Sequence, residues 1–364
     1  MAAERQVGMD DETRVGDSVG RHRTLPDLVV APAGRPTATA ETASGVYAAL
    51  DLGTNNCRLL IATPAGDGFR VVDSFSRIIR LGEGVSLTRR ISDAAIGRAI
   101  AALSICREKI DAKQATRCRL IATEACRAAD NADDFLARVE REAGIALEVI
   151  DRETEAALAM TGCSPLLDPA GRGAILFDIG GGSSEIVRIA RDPARRNATP
   201  QIVAWMSIPL GVVTLAEAFG GRDVTAQTYA AMVREVTGHV APFARLHGHD
   251  LDQMHLLGTS GTVTTLAGVH LNLARYDRRR IDGVWMSHDD LDATVARLLG
   301  MSYEARAANH CIGIERADLV LAGCAILDAI RAAFPLPRLR VADRGLREGM
   351  LVEMMRADGA ILAC

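Results

Sequence analysis

The sequence is poor in aromatic residues, which make up only 4% of it, and it carries no excess of positive charge. Its 42 Lys and Arg against 46 Asp and Glu give a formal net charge of −4, which excludes a generally basic nucleic-acid binder. Any attraction to a polyanion must be local. No apolar run approaches the roughly 18 residues that read as a membrane span, and the N-terminus lacks the apolar stretch of a secretory leader. The eight cysteines include no CxxC pair, and Cys106 and Cys324 fall in apolar helical patterns. They read as reduced core thiols of a cytoplasmic protein, with no zinc site. His247 and His249 lack partners at metal spacing and read as loop residues. What remains is 48% hydrophobic and 24% charged over 364 residues, the composition of a globular α/β protein of two or three domains.

The chain is organised around residues 176–187, LFDIGGGSSEIV. An apolar run is broken by Asp178, three glycines and Ser183-Ser184 and then resumes, the pattern of a tight hairpin. Glycine tolerates positive φ and close backbone approach, so Gly180, Gly181 and Gly182 leave amide N–H groups free to face an anion such as phosphate. Asp178 ends the incoming strand at the same point, and a carboxylate beside a phosphate makes most sense with a divalent cation between them. Glu185, on the return strand, is placed to hold a water of that cation. Taken alone, the stretch is equally a glycine-rich β-turn with a capping aspartate.

It is not alone. Residues 47–61, YAALDLGTNNCRLLI, repeat the plan with Asp51 and a Gly53-Thr54-Asn55 turn. Two such hairpins about 125 residues apart suggest a duplicated domain, each half offering an aspartate and an amide-lined turn to one cleft. A third turn follows in residues 256–267, LLGTSGTVTTLA, where a strand leads through Ser260 and Gly261 into a helix whose first amides favour negative charge.

DLGTNN, DIGGGSSE and GTSGT, in this order and spacing, resemble the actin, sugar-kinase and Hsp70 superfamily of phosphate-handling folds. Within it the chain is most similar to the exopolyphosphatase and guanosine pentaphosphate phosphohydrolase family. ATEACR with Asn131, LEVIDRETEAAL at 147–158 and LRVADRGLREGML at 339–351 fall where that family has its further motifs. The resemblance spans roughly residues 46–355. It implies an α/β fold of two actin-like (ribonuclease H-like) domains with the active site in the cleft between them. It also implies a phosphohydrolase that uses Mg²⁺, or another divalent cation, to release terminal phosphate from inorganic polyphosphate. Guanosine pentaphosphate, hydrolysed at its 5′ γ-phosphate, is the alternative substrate. An actin-like kinase would need an acceptor pocket, and a nucleotide-binding switch would show negligible turnover. No nucleic acid or membrane is implied as a partner, and a homodimer is admitted.

Residue roles follow from the same resemblance. Asp51, Asp178 and Glu185 match the metal and phosphate positions. Gly53, Thr54, Asn55, Gly180, Gly181, Gly182, Ser183, Ser184, Ser260, Gly261 and Thr262 match the phosphate-binding turns, and Arg127 an arginine that contacts phosphate. The water-activating base falls on Glu155 through the Glu-Ala-x-Leu register, with Glu153 as the rival. Asp151-Arg152 stand where the family commonly has Ser-Gly, and Ala157 where it often has a basic residue.

Patterning sets the expected organisation. Residues 1–45 read as a disordered tail, because their composition cannot bury enough apolar surface to offset the entropy of ordering. Strands are expected over 46–61, 69–81, 118–123 and 147–150, with helices over 92–110, 131–143 and 153–160, making a first domain of 46–165. The second, 166–355, opens after a Pro/Gly-rich hinge. It has strands at the glycine hairpin, 201–208 and 339–341, a polar loop at 191–200, and helices over 215–219, 229–243, 291–299, 317–333 and 346–355, the last of which can pack back on the first domain. RYDRRR at 275–280 reads as a solvated basic turn, and 356–364 as a tail. The additional helical C-terminal region of longer relatives is expected to be absent, which argues against processive handling of long polymer.

Overall fold

The computed structural model describes residues 45–192 and 200–362, so the expected N-terminal tail and most of the expected 191–200 loop lie outside the described residues. Its first sheet contains β1 (Tyr47–Leu52), β2 (Asn56–Ala65), β3 (Gly68–Ile78), β4 (Arg117–Ala122) and β5 (Glu148–Val149), in the order β3-β2-β1-β4-β5. The second contains β6 (Gly173–Ile179), β7 (Ser184–Ala190), β8 (Gln201–Ile208), β9 (Met254–Thr259), β10 (Trp285–Ser287) and β11 (Arg338–Ala342), in the order β10-β11-β9-β6-β7-β8.

Without the edge strand β10, the two sheets have one topology. Each begins with three antiparallel strands joined in sequence and adds two parallel strands beside the first. The duplication suggested by two short turns is therefore a duplication of whole sheets, and the fold is the actin-like α/β arrangement. β1 and β6 are central in their sheets. Their sequences are nearly continuous apolar runs, as strands covered on both faces must be, and each admits one carboxylate near its C-terminal end, Asp51 and Asp178.

Helices cover the sheets where apolar residues recur at helical spacing. Asp93–Ala112 is opened by Ser92, whose Oγ accepts from Ala95 N–H, and buries Ile96, Ala99, Leu103, Cys106 and Ile110 against the first sheet. Arg152–Cys163 is capped by Asp151, which accepts from Thr154 N–H at 2.7 Å. Leu346–Ala357 packs on β1 and on Arg152–Cys163. The last two helices touch backbone to backbone: a Cβ at Gly162 would lie 2.0 Å from Gly345 O, and one at Gly349 2.1 Å from Leu158 O. Their core draws on both sheets, joining Tyr47, Ala49, Leu176 and Val187 to Leu158, Met350 and Leu351.

Three expectations need correction. Residues 356–361 are not a free tail, because the last helix runs to Ala357, Asp358 accepts from Tyr47 Oη at 3.1 Å, and Ile361 is buried. His247 ends the helix Ala226–His247, with its ring 4.7 Å from that of Phe243, and is not a loop residue. RYDRRR is partly structural, since Asp277 caps Arg278–Ile281 and Arg278 donates to Glu348 at 2.8 Å. Among the described residues no helix is long and apolar enough to cross a membrane.

Candidate active site

The two glycine turns stand at the C-terminal ends of β1 and β6, where open parallel sheets commonly bind ligands. In the first hairpin Asp51 pairs across strands with Arg58, and in the second Asp178 pairs with Glu185. The spacing from aspartate to partner is the same in both. Arg58 thus occupies in one half the place that Glu185 occupies in the other.

The turns meet each other. A Cβ on Gly181 would lie 2.9 Å from Thr54 Cβ and 3.2 Å from Asn55 N, and one on Gly182 would lie 2.9 Å from Thr54 Oγ1. Neither Gly53 nor any of Gly180, Gly181 and Gly182 has positive φ, so the conformational freedom expected of them is not what the turns use. Gly180, Gly181 and Gly182 need glycine because there is no room for a side chain, whereas a Cβ at Gly53 would meet nothing closer than Asn56 O at 3.6 Å. The amides of Gly181 and Gly182 donate to no backbone acceptor among the described residues, while Gly180 closes the turn by donating to Ser183 O at 3.0 Å. In return, Gly180 O and Gly181 O accept from Val212 and Val213, the first amides of helix Val212–Phe219.

The third turn adds a helix start. Ser260 sits at φ 148°, a region that non-glycine residues rarely enter, and its Oγ accepts from Val263 N–H at 3.2 Å. Gly261 and Thr262, in the first turn of helix Gly261–His270, have amides without intrahelical acceptors. The Thr262 hydroxyl is packed where a Cβ on Gly323 would lie 2.2 Å from it, so Thr262 offers its backbone to the site more readily than its hydroxyl. Residues of all three turns line one cavity of ≈ 110 Å³, together with Asp51, Asp178, Glu155 and Glu185.

The carboxylates are held in separate ways. Glu185 Oε1 accepts from Ser183 Oγ and from Ser207 Oγ, both at 2.8 Å. Ser184 is fully buried and donates its hydroxyl to Leu210 O at 2.7 Å, which takes it out of the phosphate-binding set expected for it. Glu155 is buried and accepts at Oε2 from Arg127 Nη2 at 2.8 Å, whereas Glu153 is exposed. Arg127 also donates from Nε to Glu124 Oε2 at 3.0 Å and from Nη1 to Ile150 O at 2.8 Å. Its guanidinium is taken up by carboxylates and backbone, and through Nη2 it orients Glu155. Arg152, where the family pattern has glycine, forks onto Glu124 at 2.8 and 3.2 Å.

Burial and mutual repulsion disfavour ionisation of this cluster. Burial, and then the charge of Glu155, push Asp178 up to about 7. Burial and the neighbouring Glu185 push Glu155 up to about 8, with Arg127 opposing. Glu185 is raised by burial and by Asp178, and Asp51 chiefly by burial, against the charge of Arg58.

Two cations that the sequence reading did not single out complete the site. Arg58 and Arg316 both line the cavity, and neither has an ion-pair partner within 4 Å among the described residues. They flank Gly261, where a Cβ would lie 3.8 Å from both Arg58 Nη2 and Arg316 Cζ. Burial, and then the charge of Arg58, lower the pKa of Arg316. Two guanidiniums enclosed side by side without a counter-ion form a place for an anion. Asn56 and Glu124 also line the cavity.

Comparison with known proteins gives the family. The model of the Ppx/GppA phosphatase family matches residues 60–358. Exopolyphosphatase 2 of Mycobacterium tuberculosis is 32% identical over 322 residues, covering 84% of this chain and 98% of that protein. The crystal structure of the Aquifex aeolicus Ppx/GppA family member has a TM-score of 0.71 at 29% identity, covering 86% of this chain and 98% of the other. An exopolyphosphatase from Cytophaga hutchinsonii reaches 0.77 at 23% identity over 86% of this chain and 98% of its own, a likeness of fold. Because the family match runs from β2 to just past the last helix, and a relative is covered almost end to end, the chain belongs to the Ppx/GppA phosphatase family.

Proposed function

We propose that the protein is an exopolyphosphatase, which releases the terminal phosphate of inorganic polyphosphate with Mg²⁺ or another divalent cation as cofactor. The observation that carries this reading is that Arg58 and Arg316, two cations with no ion-pair partner within 4 Å among the described residues, share one cavity with amide-lined turns and a buried glutamate. A phosphoanhydride is already activated, so the protein has mainly to neutralise charge and align water. The turns and the two arginines bind the phosphates. Glu155 takes a proton from water as the water oxygen bonds to the terminal phosphorus. The bridging P–O bond breaks, and the shortened chain leaves with that bond's electron pair.

The donor set fits a hard divalent cation. Asp51, Asp178 and Glu185 would hold it, and all three carboxyls are raised by enclosure in a way that a cation would reverse. Asn55 Oδ1 and Asn56 Oδ1 are buried beside them without a donor among the described residues, and waters carried by the ion would supply one. Among the described residues no three His, Cys, Asp or Glu side chains form a ready metal cage. Mg²⁺ keeps several waters and takes substrate phosphates as ligands, so it does not require an all-protein cage. When bound, the ion supplies further neutralisation of phosphate charge. Six of the seven described cysteines are buried free thiols, which supports a reducing, cytoplasmic location.

A phosphate-release assay across polyphosphate lengths, guanosine pentaphosphate and ATP, with Mg²⁺ or with EDTA, tests the reading. Preferential release from polyphosphate that requires the cation is expected. Release from the guanosine nucleotide alone would move the assignment to the alternative substrate, and no release from any of the three would overturn it.

A further inference from the structure

Residues 79–86 follow β3 and make contacts on both sides of the cavity. Their backbone is tied to the first anion turn: Ile79 and Arg80 N–H both donate to Asn55 O, at 2.9 and 3.1 Å, and Gly82 N–H donates to Thr54 O at 2.9 Å. A Cβ on Gly82 would lie 2.2 Å from Thr54 Cγ2, so the fit leaves no slack.

The same segment reaches into the second half. Arg80 forks onto Asp318, with Nη1 at 3.0 Å from Oδ2 and Nη2 at 3.1 Å from Oδ1, and Nη2 also donates to Glu315 O at 3.2 Å. Glu315 and Asp318 bracket Arg316 in sequence. Gly84 N–H and Ser86 Oγ donate to the two oxygens of Glu217, at 2.8 and 2.6 Å. Glu217 lies in helix Val212–Phe219, whose first amides are held by the Gly180 and Gly181 carbonyls. Arg80 itself has φ 47°, in the left-handed region, and is fixed there by Asn55 O on its N–H and by Arg98 Nη2 on its carbonyl at 3.2 Å.

We propose that Arg80 is a positioning residue for anion binding: through Asp318 and the Glu315 carbonyl it fixes Arg316 against the Thr54-Asn55 turn, and the phosphate site is competent only while this clasp is made. The inference rests on the phosphate-binding role given above to Arg316. A freely exposed ion pair would contribute little, but these side chains are 33% and 28% exposed, doubly bonded and joined by a backbone acceptor. The clasp sets a population. If substrate binds only the clasped state, the apparent dissociation constant is the intrinsic one divided by the clasped fraction, so losing the clasp raises KM and spares the turnover of bound substrate.

The test uses the full chain with tripolyphosphate as probe, comparing Arg80→Ala, Asp318→Ala and the double variant with wild type. Arg89→Ala, which removes the exposed Arg89–Asp130 pair, serves as control. KM is expected to rise about tenfold in each clasp variant, with kcat within about twofold, and no further in the double variant, because both changes break one interaction. Arg89→Ala is expected to leave both parameters unchanged. Unchanged KM in the single variants, or a fall in kcat alone, would overturn the proposal. Hydrogen exchange without substrate gives a readout independent of the reaction: faster exchange over 313–319 in Arg80→Ala, slowed again by tripolyphosphate, is expected, and exchange equal to wild type would overturn it. If wild type releases no phosphate while the exchange behaves as expected, the proposed reaction fails and the clasp stands.

Discussion

Arg127 donates through Nη2 to Glu155 Oε2 at 2.8 Å, and this contact opposes the burial and the Glu185 charge that raise the glutamate's pKa. In the proposed reaction this keeps Glu155 usable as the base near neutral pH, where proton transfer is most efficient. Replacing Arg127 with Gln should move the acid limb of kcat/KM to higher pH by about one unit or more, because the base must lose its proton and the group that favours the ionised form is gone. A pH profile that keeps its acid limb in place would contradict this arrangement.

Glu155→Gln should lower kcat by about 10² to 10⁴ while substrate affinity stays close to wild type. Glu153 is two residues away on the same helix, on the exposed side, and its Gln variant should turn over almost normally. Parallel measurement of turnover and affinity decides between them; an inactive Glu153 variant beside an active Glu155 variant would reverse the assignment.

Asp178→Asn should abolish activity and yet stabilise the metal-free protein at alkaline pH. Folding raises the Asp178 pKa from 3.8 to about 7, so the associated stability is full below the unfolded value and is lost as pH rises through about 7. Melting in EDTA should therefore fall between pH 5 and pH 8 for wild type and less steeply for the variant, a difference of about 3 kcal/mol over that interval. Mg²⁺ should raise the melting temperature of wild type more than that of the variant. Equal slopes in EDTA would remove Asp178 as the source.

Arg58→Ala and Arg316→Ala should each raise KM for tripolyphosphate about 10- to 100-fold, the range expected on losing a hydrogen bond to a charged group. Isothermal titration with the same probe separates this from an effect on the chemical step. Undiminished binding in both variants would mean that the anion lies elsewhere.

Ser207→Ala removes one of the two hydroxyls that hold Glu185 Oε1. Outer contacts of this kind orient metal ligands, so the Mg²⁺ concentration for half-maximal activity should rise about tenfold, with activity recovered at saturating Mg²⁺. An unaltered Mg²⁺ dependence would show that Ser183 suffices.

The reach of the sequence ended where contacts stop being local. The glycine turns were legible because each is a few residues long and interrupts an apolar strand, and the repeated aspartate pointed to the duplicated sheets. Arg58 was within reach too: it is the lone cation in the apolar run of β2, at the spacing from Asp51 that Glu185 has from Asp178. Arg316 had no such signal. It lies in an irregular stretch between two helices, and only the tertiary fold brings it to Gly261. Gly181 and Gly182 stand at their turn for a reason other than the one expected, since crowding by Thr54 is a contact between halves that no local pattern reveals. Arg127 and Ser184 illustrate the same limit, as Arg127 donates to Glu155 and Ser184 to Leu210, neighbours distant in sequence.

The crossing of helices Arg152–Cys163 and Leu346–Ala357 has a mechanical consequence. Where Gly162 and Gly349 bring backbone onto backbone, the two axes lie closer than side chains would allow, and Leu158, Met350 and Leu351 pack around the contact. Glu155 rides about two turns from Gly162 on one helix, and the other starts at Leu346, on the cavity wall. A displacement of either helix at this contact is therefore carried to Glu155 on one and to the cavity wall at Leu346 on the other. A single methyl group at position 162 or 349 would wedge the two helices apart and shift the cavity wall from a point outside the cavity.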